Sequence, residues 1–347
     1  VIVVTSFRDV QKTLIQMAAQ ERIPILGEFE LTSNCNLDCE MCYVREITRN
    51  ELTTEEWKKI FKVAVDNGML FALLTGGEIF YRRDFTELYN YLYDLGVIIT
   101  LYTNGTLINE EVVAALKKRP PQMVVITLYG ADNETYEKVA RVKNGFDKVD
   151  RGISLLKESK INVIIRTAPL KKIFSQVDAL IRYAKEKNLP MVYYLYIGPK
   201  RNSCSNELDY RLTPNELAIY EQKFQEAFEY HSNDTFRIST NGKKCVALRS
   251  SFFVTWDGVM QPCALLPYPS KSIRNANFME VWYELTTHMQ NLPKCNACAT
   301  CQYKDTCIEC DAHRFLEGGF TKCSKYLRDL AKLRAEVRNG KVSDSRD

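Results

Sequence analysis

From residue 29 to residue 197 the chain alternates six times between a short apolar run of strand length and, in the intervals, stretches whose apolar residues recur at helical spacing. Strands are expected at Phe29 to Thr32, Leu70 to Thr75, Val97 to Tyr102, Met123 to Leu128, Asn162 to Thr167 and Met191 to Ile197. Helices are expected at Glu55 to Asn67, Asp84 to Leu95, Asn109 to Lys118, Thr135 to Val139, Phe146 to Lys160 and Ser175 to Lys187. Thr53-x-x-Glu56 reads as a capping box and Gly68 as a stop, with Trp57, Ile60, Phe61, Ala64 and Val65 forming one buried face between them. Strands separated by helices pair in parallel through right-handed crossovers. The expected fold is therefore α/β, an open, partial (β/α)6 barrel with its chemistry at the carboxyl ends of the strands.

The first strand runs into Cys35-x3-Cys39-x2-Cys42, followed by Tyr43. A loop leaving a strand end can turn three thiolates toward one point, as an iron–sulfur cluster needs. Three is one fewer than a [4Fe–4S] cluster normally takes, so one iron is left open. A zinc knuckle or a buried, reduced trio is the competing reading of the spacing. The segment resembles the signature of the radical S-adenosylmethionine (SAM) superfamily. That resemblance implies that the open iron chelates SAM and that one-electron cleavage yields a 5′-deoxyadenosyl radical, which abstracts hydrogen from a substrate.

Other strand ends extend the resemblance. Gly76-Gly77-Glu78 looks like the family's glycine-glycine-glutamate motif, with bare backbone approaching SAM and the carboxylate accepting from its ammonium group. Thr103-Asn104-Gly105 resembles the motif after the third strand, and Thr127 stands where relatives have a serine bonded to SAM. Arg166 on the fifth strand would hold the SAM carboxylate, and Tyr196 with Ile197 on the sixth would flank the adenine. The cofactor set implied is thus Tyr43, Gly76, Gly77, Glu78, Asn104, Thr127, Arg166 and Tyr196. A simple turn for the glycines, a salt bridge for Arg166 and core packing for Tyr196 are the bland alternatives.

Eight further cysteines lie at 245, 263, 295, 298, 301, 307, 310 and 323. Asp257-Gly258 turns a hairpin, Phe252 to Trp256 against Val259 to Gln261, which brings Cys263 back toward Cys245. Eight thiolates suit two fully ligated [4Fe–4S] clusters, and equally two zinc sites. The pattern resembles the SPASM domain, the C-terminal extension of radical SAM enzymes that mature peptides and proteins. On that resemblance Cys298, Cys301, Cys307 and Cys323 hold one auxiliary cluster, while Cys245, Cys263 and Cys310 hold the other. Cys307-x2-Cys310 departs from the commoner three-residue gap, and Cys295 is at no motif position. Either Cys295 supplies the missing ligand or that cluster keeps an open iron.

The expected organisation is an N-terminal segment at 1–26, the barrel at 27–198, a bridge at 199–240, the cysteine-rich domain at 241–335 with its hairpin and helices, and a charged tail at 336–347. The N-terminal segment holds an edge strand, Val1 to Val4, and a helix, Phe7 to Gln20, and the bridge holds a helix from Thr213-Pro214 to about Tyr230. Cys204, alone in a polar connector, is incidental or else donates a hydrogen atom or contacts substrate. Across 347 residues, 47 Lys and Arg against 43 Asp and Glu leave only +4, so charge gives no support for a nucleic acid partner. No apolar run approaches the ~20 residues of a membrane span. Clustered cysteines without a secretion signal point to a reducing cytoplasm.

Four activities follow from the resemblance. The first is a peptide maturase that installs thioether or carbon–carbon crosslinks, the auxiliary clusters taking up the second electron. The second is a peptide epimerase, for which Cys204 or Cys295 would return hydrogen. The third is a formylglycine-forming sulfatase maturase, whose relatives carry Asp after the cysteine of the G-x4-C motif where this chain has Ala264. The fourth, a non-catalytic electron carrier, has no need of SAM-facing strand ends. The expected partners are a precursor peptide and a reductant such as flavodoxin or ferredoxin; with only 26 residues before the barrel, either a separate leader-binding protein presents the peptide or the chain binds it directly.

Overall fold

The computed structural model describes residues 6–44, 50–199, 208–228, 245–308 and 310–338. Val1 to Val4, Cys204 and the tail beyond 338 lie outside the described residues. Ser6 caps α1 (Phe7–Glu21) through the Asp9 amide. The buried side of α1, Ile15 and Ala18, packs on Ile25 and Phe71 beside Leu26 and Ile98, where strands begin, so this helix covers their amino ends.

The alternation is present throughout. In chain order come β1 (Leu26–Glu30), α2 (Thr54–Asp66), β2 (Phe71–Thr75), α3 (Phe85–Asp94), β3 (Ile98–Thr103), α4 (Glu110–Lys118) and β4 (Met123–Thr127). Then follow α5 (Asn133–Ala140), α6 (Gly145–Glu158), β5 (Val163–Thr167), α7 (Lys171–Phe174), α8 (Val177–Glu186) and β6 (Met191–Tyr193). All six strands pair in parallel in the order β6-β5-β4-β3-β2-β1. Thr53 and Glu56 form the expected capping box of α2. Asp84, by contrast, makes no capping bond to α3; it is taken up by Arg82 and Thr54 instead. The helix expected over 175–187 is present as α8, and a short helix that was not expected, α7, precedes it at Lys171–Phe174.

Two differences bear on the site. The sixth strand stops at Tyr193, so Tyr196 and Ile197 stand beyond it. The cysteine-rich region also does not begin a separate sheet. After α9 (Pro214–Phe228), β7 (Ser251–Val254) pairs in parallel with β1, with Glu28 opposite Phe253. The sheet continues through the antiparallel strands β8 (Val259–Gln261) and β9 (Lys271–Ser272), giving one nine-stranded sheet. Gly258, at φ +82°, makes the hairpin turn. Phe29 shows why this seam holds: its ring meets Trp57 and Phe61 of α2 and Phe252 of β7 edge-on, with centroids 5.0–6.0 Å apart.

Among the described residues four helices follow: α10 (Phe278–Gln290), α11 (Asn296–Ala299), α12 (Asp311–Leu316) and α13 (Lys325–Arg338). Phe278 and Trp282 of α10 close over Phe252, and the Trp282 indole N–H donates to the Arg22 carbonyl behind α1 at 2.8 Å. Helix α13 docks on α9 through a buried pair, Arg334 with Glu221, at 2.6 and 2.8 Å.

Candidate active site and metal centres

The loop of Cys35, Cys39 and Cys42 leaves the end of β1 and is fastened by residues that its cysteine pattern does not reveal. One Glu51 oxygen accepts from the Thr32 hydroxyl at 2.7 Å, the Ser33 amide at 2.8 Å and the Asn34 side chain at 3.1 Å. Arg82 donates to the carbonyls of Leu31 and Leu52 at 2.7 and 3.0 Å. From the third strand end, the Asn104 side-chain amide donates to the Cys35 sulfur at 3.7 Å and to the side-chain oxygen Oδ1 of Asn36 at 2.9 Å.

Gly76 and Gly77 are needed for this loop. A β-carbon on Gly76 would stand 2.7 Å from the Thr32 carbonyl oxygen, and one on Gly77 would stand 2.3 Å from that of Asn34. Glu78 is buried, and its carboxylate is already engaged by the Thr103 hydroxyl at 2.6 Å and by the amides of Asn104 and Phe80 at 2.7 and 3.2 Å. The side chain expected to meet an ammonium group therefore ties the second strand end to the third. Burial pushes its carboxyl up to about 6.

The three thiols stand close enough for each to feel the others. Burial first, and then neighbouring charge, pushes the Cys35 thiol up to about 11 and Cys39 still higher; Cys42 raises both, and Tyr129 beyond β4 hydrogen-bonds to Cys39. Such thiols give up their protons only to a strongly cationic group, as cluster assembly provides. The donor set, the bare glycine backbone and the neighbouring polar strand ends fit an iron–sulfur cluster with SAM beside it. Tyr43 lies with Cys42 against Val44 and Trp256, at the start of the second cysteine region.

Farther round the barrel, Arg166 donates to Thr127 from Nε and Nη2 at 3.2 and 2.9 Å and to the Tyr194 hydroxyl at 2.7 Å. Its guanidinium lies over the rings of Tyr102 and Tyr194, 4.3 and 5.0 Å from their centroids. Among the described residues it has no ion pair, so the salt-bridge reading falls away. Tyr102, Tyr129 and Tyr194 were not singled out from sequence; Tyr102 shows only as the last residue of an expected strand. Tyr196 is placed elsewhere: it stacks on His313 at 3.8 Å and donates to Glu317 at 3.0 Å, facing the C-terminal region because the strand ends before it.

The later cysteines divide into groups. Burial raises the Cys263 thiol, with Cys245 and Cys310 as its nearest thiol influences, and the His313 amide donates to the Cys310 sulfur at 3.5 Å. Cys295 lies apart from that trio, as the residue before α11. Its carbonyl accepts from the Cys298 amide at 3.1 Å, and the two side chains are hydrogen-bonded. Burial pushes Cys298 up to about 12, followed by Cys295 and then by the charge of Cys295 and Cys323. Cys295 therefore stands with Cys298 and Cys323. Among the described residues no three of these side chains converge tightly enough to grip a single ion, although each group is within electrostatic reach.

Two family models match the chain: the radical SAM superfamily over residues 29–184 and the SPASM iron–sulfur cluster-binding domain over residues 245–302. An AdoMet-dependent heme synthase of Methanosarcina barkeri is 26% identical across 87% of this chain and 95% of its own. The subtilosin biosynthesis protein AlbA of Bacillus subtilis is 27% identical across 71% of this chain and 56% of its own. The fold is shared with Streptococcus suis SuiB, solved with its precursor peptide SuiA, at a TM-score of 0.68 and 18% identity over 94% of this chain and 82% of that one. The chain thus carries a radical SAM domain over residues 29–184 and a SPASM domain over residues 245–302, those of an enzyme whose cofactors are SAM and [4Fe–4S] clusters.

Proposed function

We propose that this enzyme matures a precursor peptide, taking hydrogen from it and joining two of its atoms in a thioether or carbon–carbon crosslink. The observation that carries this reading is the seam between β1 and β7, which joins a three-cysteine loop at the barrel mouth and a second cysteine region through one hydrogen-bonded sheet. Crosslinking removes two hydrogens from the substrate, so an electron must leave after the first hydrogen has gone, and a redox group in a fixed position can take it. SAM, when bound at the open iron, supplies the hydrogen-abstracting chemistry. Cys35, Cys39 and Cys42 would hold that cluster. Gly76, Gly77, Asn104 and Thr127 would line the cofactor, with Tyr43 at its edge, and Arg166 would meet its carboxylate with the donors left free by Thr127 and Tyr194. Cys245, Cys263 and Cys310, and separately Cys298, Cys301, Cys307 and Cys323, would hold the auxiliary clusters. A flavodoxin or ferredoxin would deliver the first electron, and a separate protein would present the leader. The likeness to AlbA and SuiB supports a peptide substrate.

Epimerisation is less well supported. It needs an accessible thiol beside the substrate, whereas Cys295 is buried against Cys298. One observation favours a second reading: the heme synthase relative matches nearly its whole length, which supports a tetrapyrrole substrate. Anaerobic reconstitution with iron and sulfide, then reduction with SAM, should give 5′-deoxyadenosine, and replacing Cys35, Cys39 and Cys42 together by Ala should abolish it. Incubation with precursor peptides encoded beside the enzyme and, separately, with iron-containing tetrapyrroles then decides the substrate by mass. Peptide product lighter by two hydrogens supports crosslinking; deuterium uptake without mass loss in H2O would point to epimerisation, and change in the tetrapyrrole alone would reject a peptide.

A further inference from the structure

Glu28 is a carboxylate that neither the cofactor nor the core accounts for. Its neighbour Phe29 points outward onto α2 and Phe252, so the alternation of β1 turns Glu28 to the inner face of the sheet. There it is half-buried, and among the described residues it has neither a hydrogen bond nor an ion pair. Burial pushes its carboxyl up to about 7. Arg166, on the fifth strand, is held by Thr127, Tyr102 and Tyr194. A carboxylate enclosed in this way is costly unless something positive comes to it.

The strand registers show where that positive group would be. Glu28 lies opposite Phe253 on β7, and Phe253 lies opposite Gln261 on β8. Cys263 follows Gln261 by two residues, and Glu28 is among the charges it feels. Cys263 in turn stands with Cys245 and Cys310, a site to which the described residues bring three thiols, since Cys295 is engaged with Cys298. Carboxylates are ordinary ligands of iron where thiolates run out.

We propose that Glu28, reaching from the barrel strand, is the oxygen ligand to the fourth iron of an auxiliary cluster held by Cys245, Cys263 and Cys310. The proposal rests on the reading that this trio holds a cluster, and the test separates the two. The full chain with Cys35, Cys39 and Cys42 replaced by Ala confines the signals to the auxiliary sites. In that background Cys263→Ala should lower the iron content by up to about four atoms per chain, the content of one cluster. Glu28→Gln, of nearly equal shape, should keep the iron but shift the reduced-state paramagnetic resonance and raise the midpoint potential, because an anionic ligand is lost. Labelling glutamate with 13C should give a hyperfine coupling that Glu28→Gln removes, and Glu28→Cys should keep the iron and give a four-thiolate spectrum. Iron loss in Cys263→Ala with an unchanged spectrum in Glu28→Gln overturns the ligand assignment alone. Undiminished iron in Cys263→Ala overturns the auxiliary site with it. A shift of this cluster's signal in Cys295→Ala or Cys204→Ala, and none in Glu28→Gln, assigns the fourth position to sulfur.

Discussion

A guanidinium wedged between two phenol rings and fastened to a threonine has one orientation to offer. Arg166 is fixed there by Thr127, Tyr102 and Tyr194, and a lysine would lose the bonds to Thr127 and the ring contacts together. Arg166→Lys should therefore weaken SAM binding by about 1.5–3 kcal/mol, roughly tenfold to a hundredfold, in titration calorimetry of the cluster-loaded protein. Two carboxyl groups make a second prediction. Burial lifts Glu78 from 4.5 to about 6 and Glu28 from 4.5 to about 7, so the folded chain holds these protons more tightly than the unfolded chain. Their contribution to stability is complete below pH 4.5 and is lost as pH rises to about 6 and about 7 respectively. Cluster-free protein should show a lower urea midpoint at pH 7 than at pH 5, and Glu28→Gln should reduce that difference. Cys35, Cys39 and Cys42 announce themselves in the sequence by spacing. Glu28 does not, because a glutamate two residues before a second one, Glu30, carries no ligand pattern; only the register of two neighbouring strands reveals what it faces.

Among the elements, helices were the most legible. The limits of α2 follow from Thr53-x-x-Glu56 and Gly68, since capping and stopping are local chemistry. The same Glu56 also pairs with Arg274 near β9 at 2.6 Å, and no local rule contains that contact. Strand ends were less legible: β6 is shorter than its apolar run because Tyr194 turns to Arg166 and Tyr196 to His313. The second parallel partner of β1, β7, was not legible at all, since parallel pairing leaves no turn signal between the strands. Gly76-Gly77 was read as an approach to a cofactor, and its first constraint is the approach to the cysteine loop. Gly77→Ala should displace that loop from the Asn34 carbonyl outward. Iron content should fall by up to about four atoms per chain, one cluster's worth, and 5′-deoxyadenosine formation should fall with it, while the auxiliary signals persist.

At the scale of the whole molecule, the C-terminal region is held to the barrel at several separate places. Besides the β-sheet seam there are the Trp282 bond to Arg22 and the Arg334–Glu221 pair between α13 and α9, both partners of which are buried. Glu221→Ala would leave the guanidinium without its carboxylate and should cost about 3–5 kcal/mol in urea unfolding. Glu221→Leu with Arg334→Met should recover most of that loss, because a well-packed apolar pair carries no charge to desolvate.

The seam between β1 and β7 also bears on how the protein is made. Glu28 and its neighbour Phe253 are most of the chain's length apart, so the first strand leaves the ribosome long before the strand that covers its outer side. Closing so long a loop is entropically tolerable, since the cost grows only with the logarithm of its length. Until β7 has been made, however, one flank of the nascent barrel has open amides and carbonyls beside the Phe29 ring, a surface prone to pairing with other chains. Successful synthesis should depend on a chaperone shielding that flank, or on β7 arriving quickly.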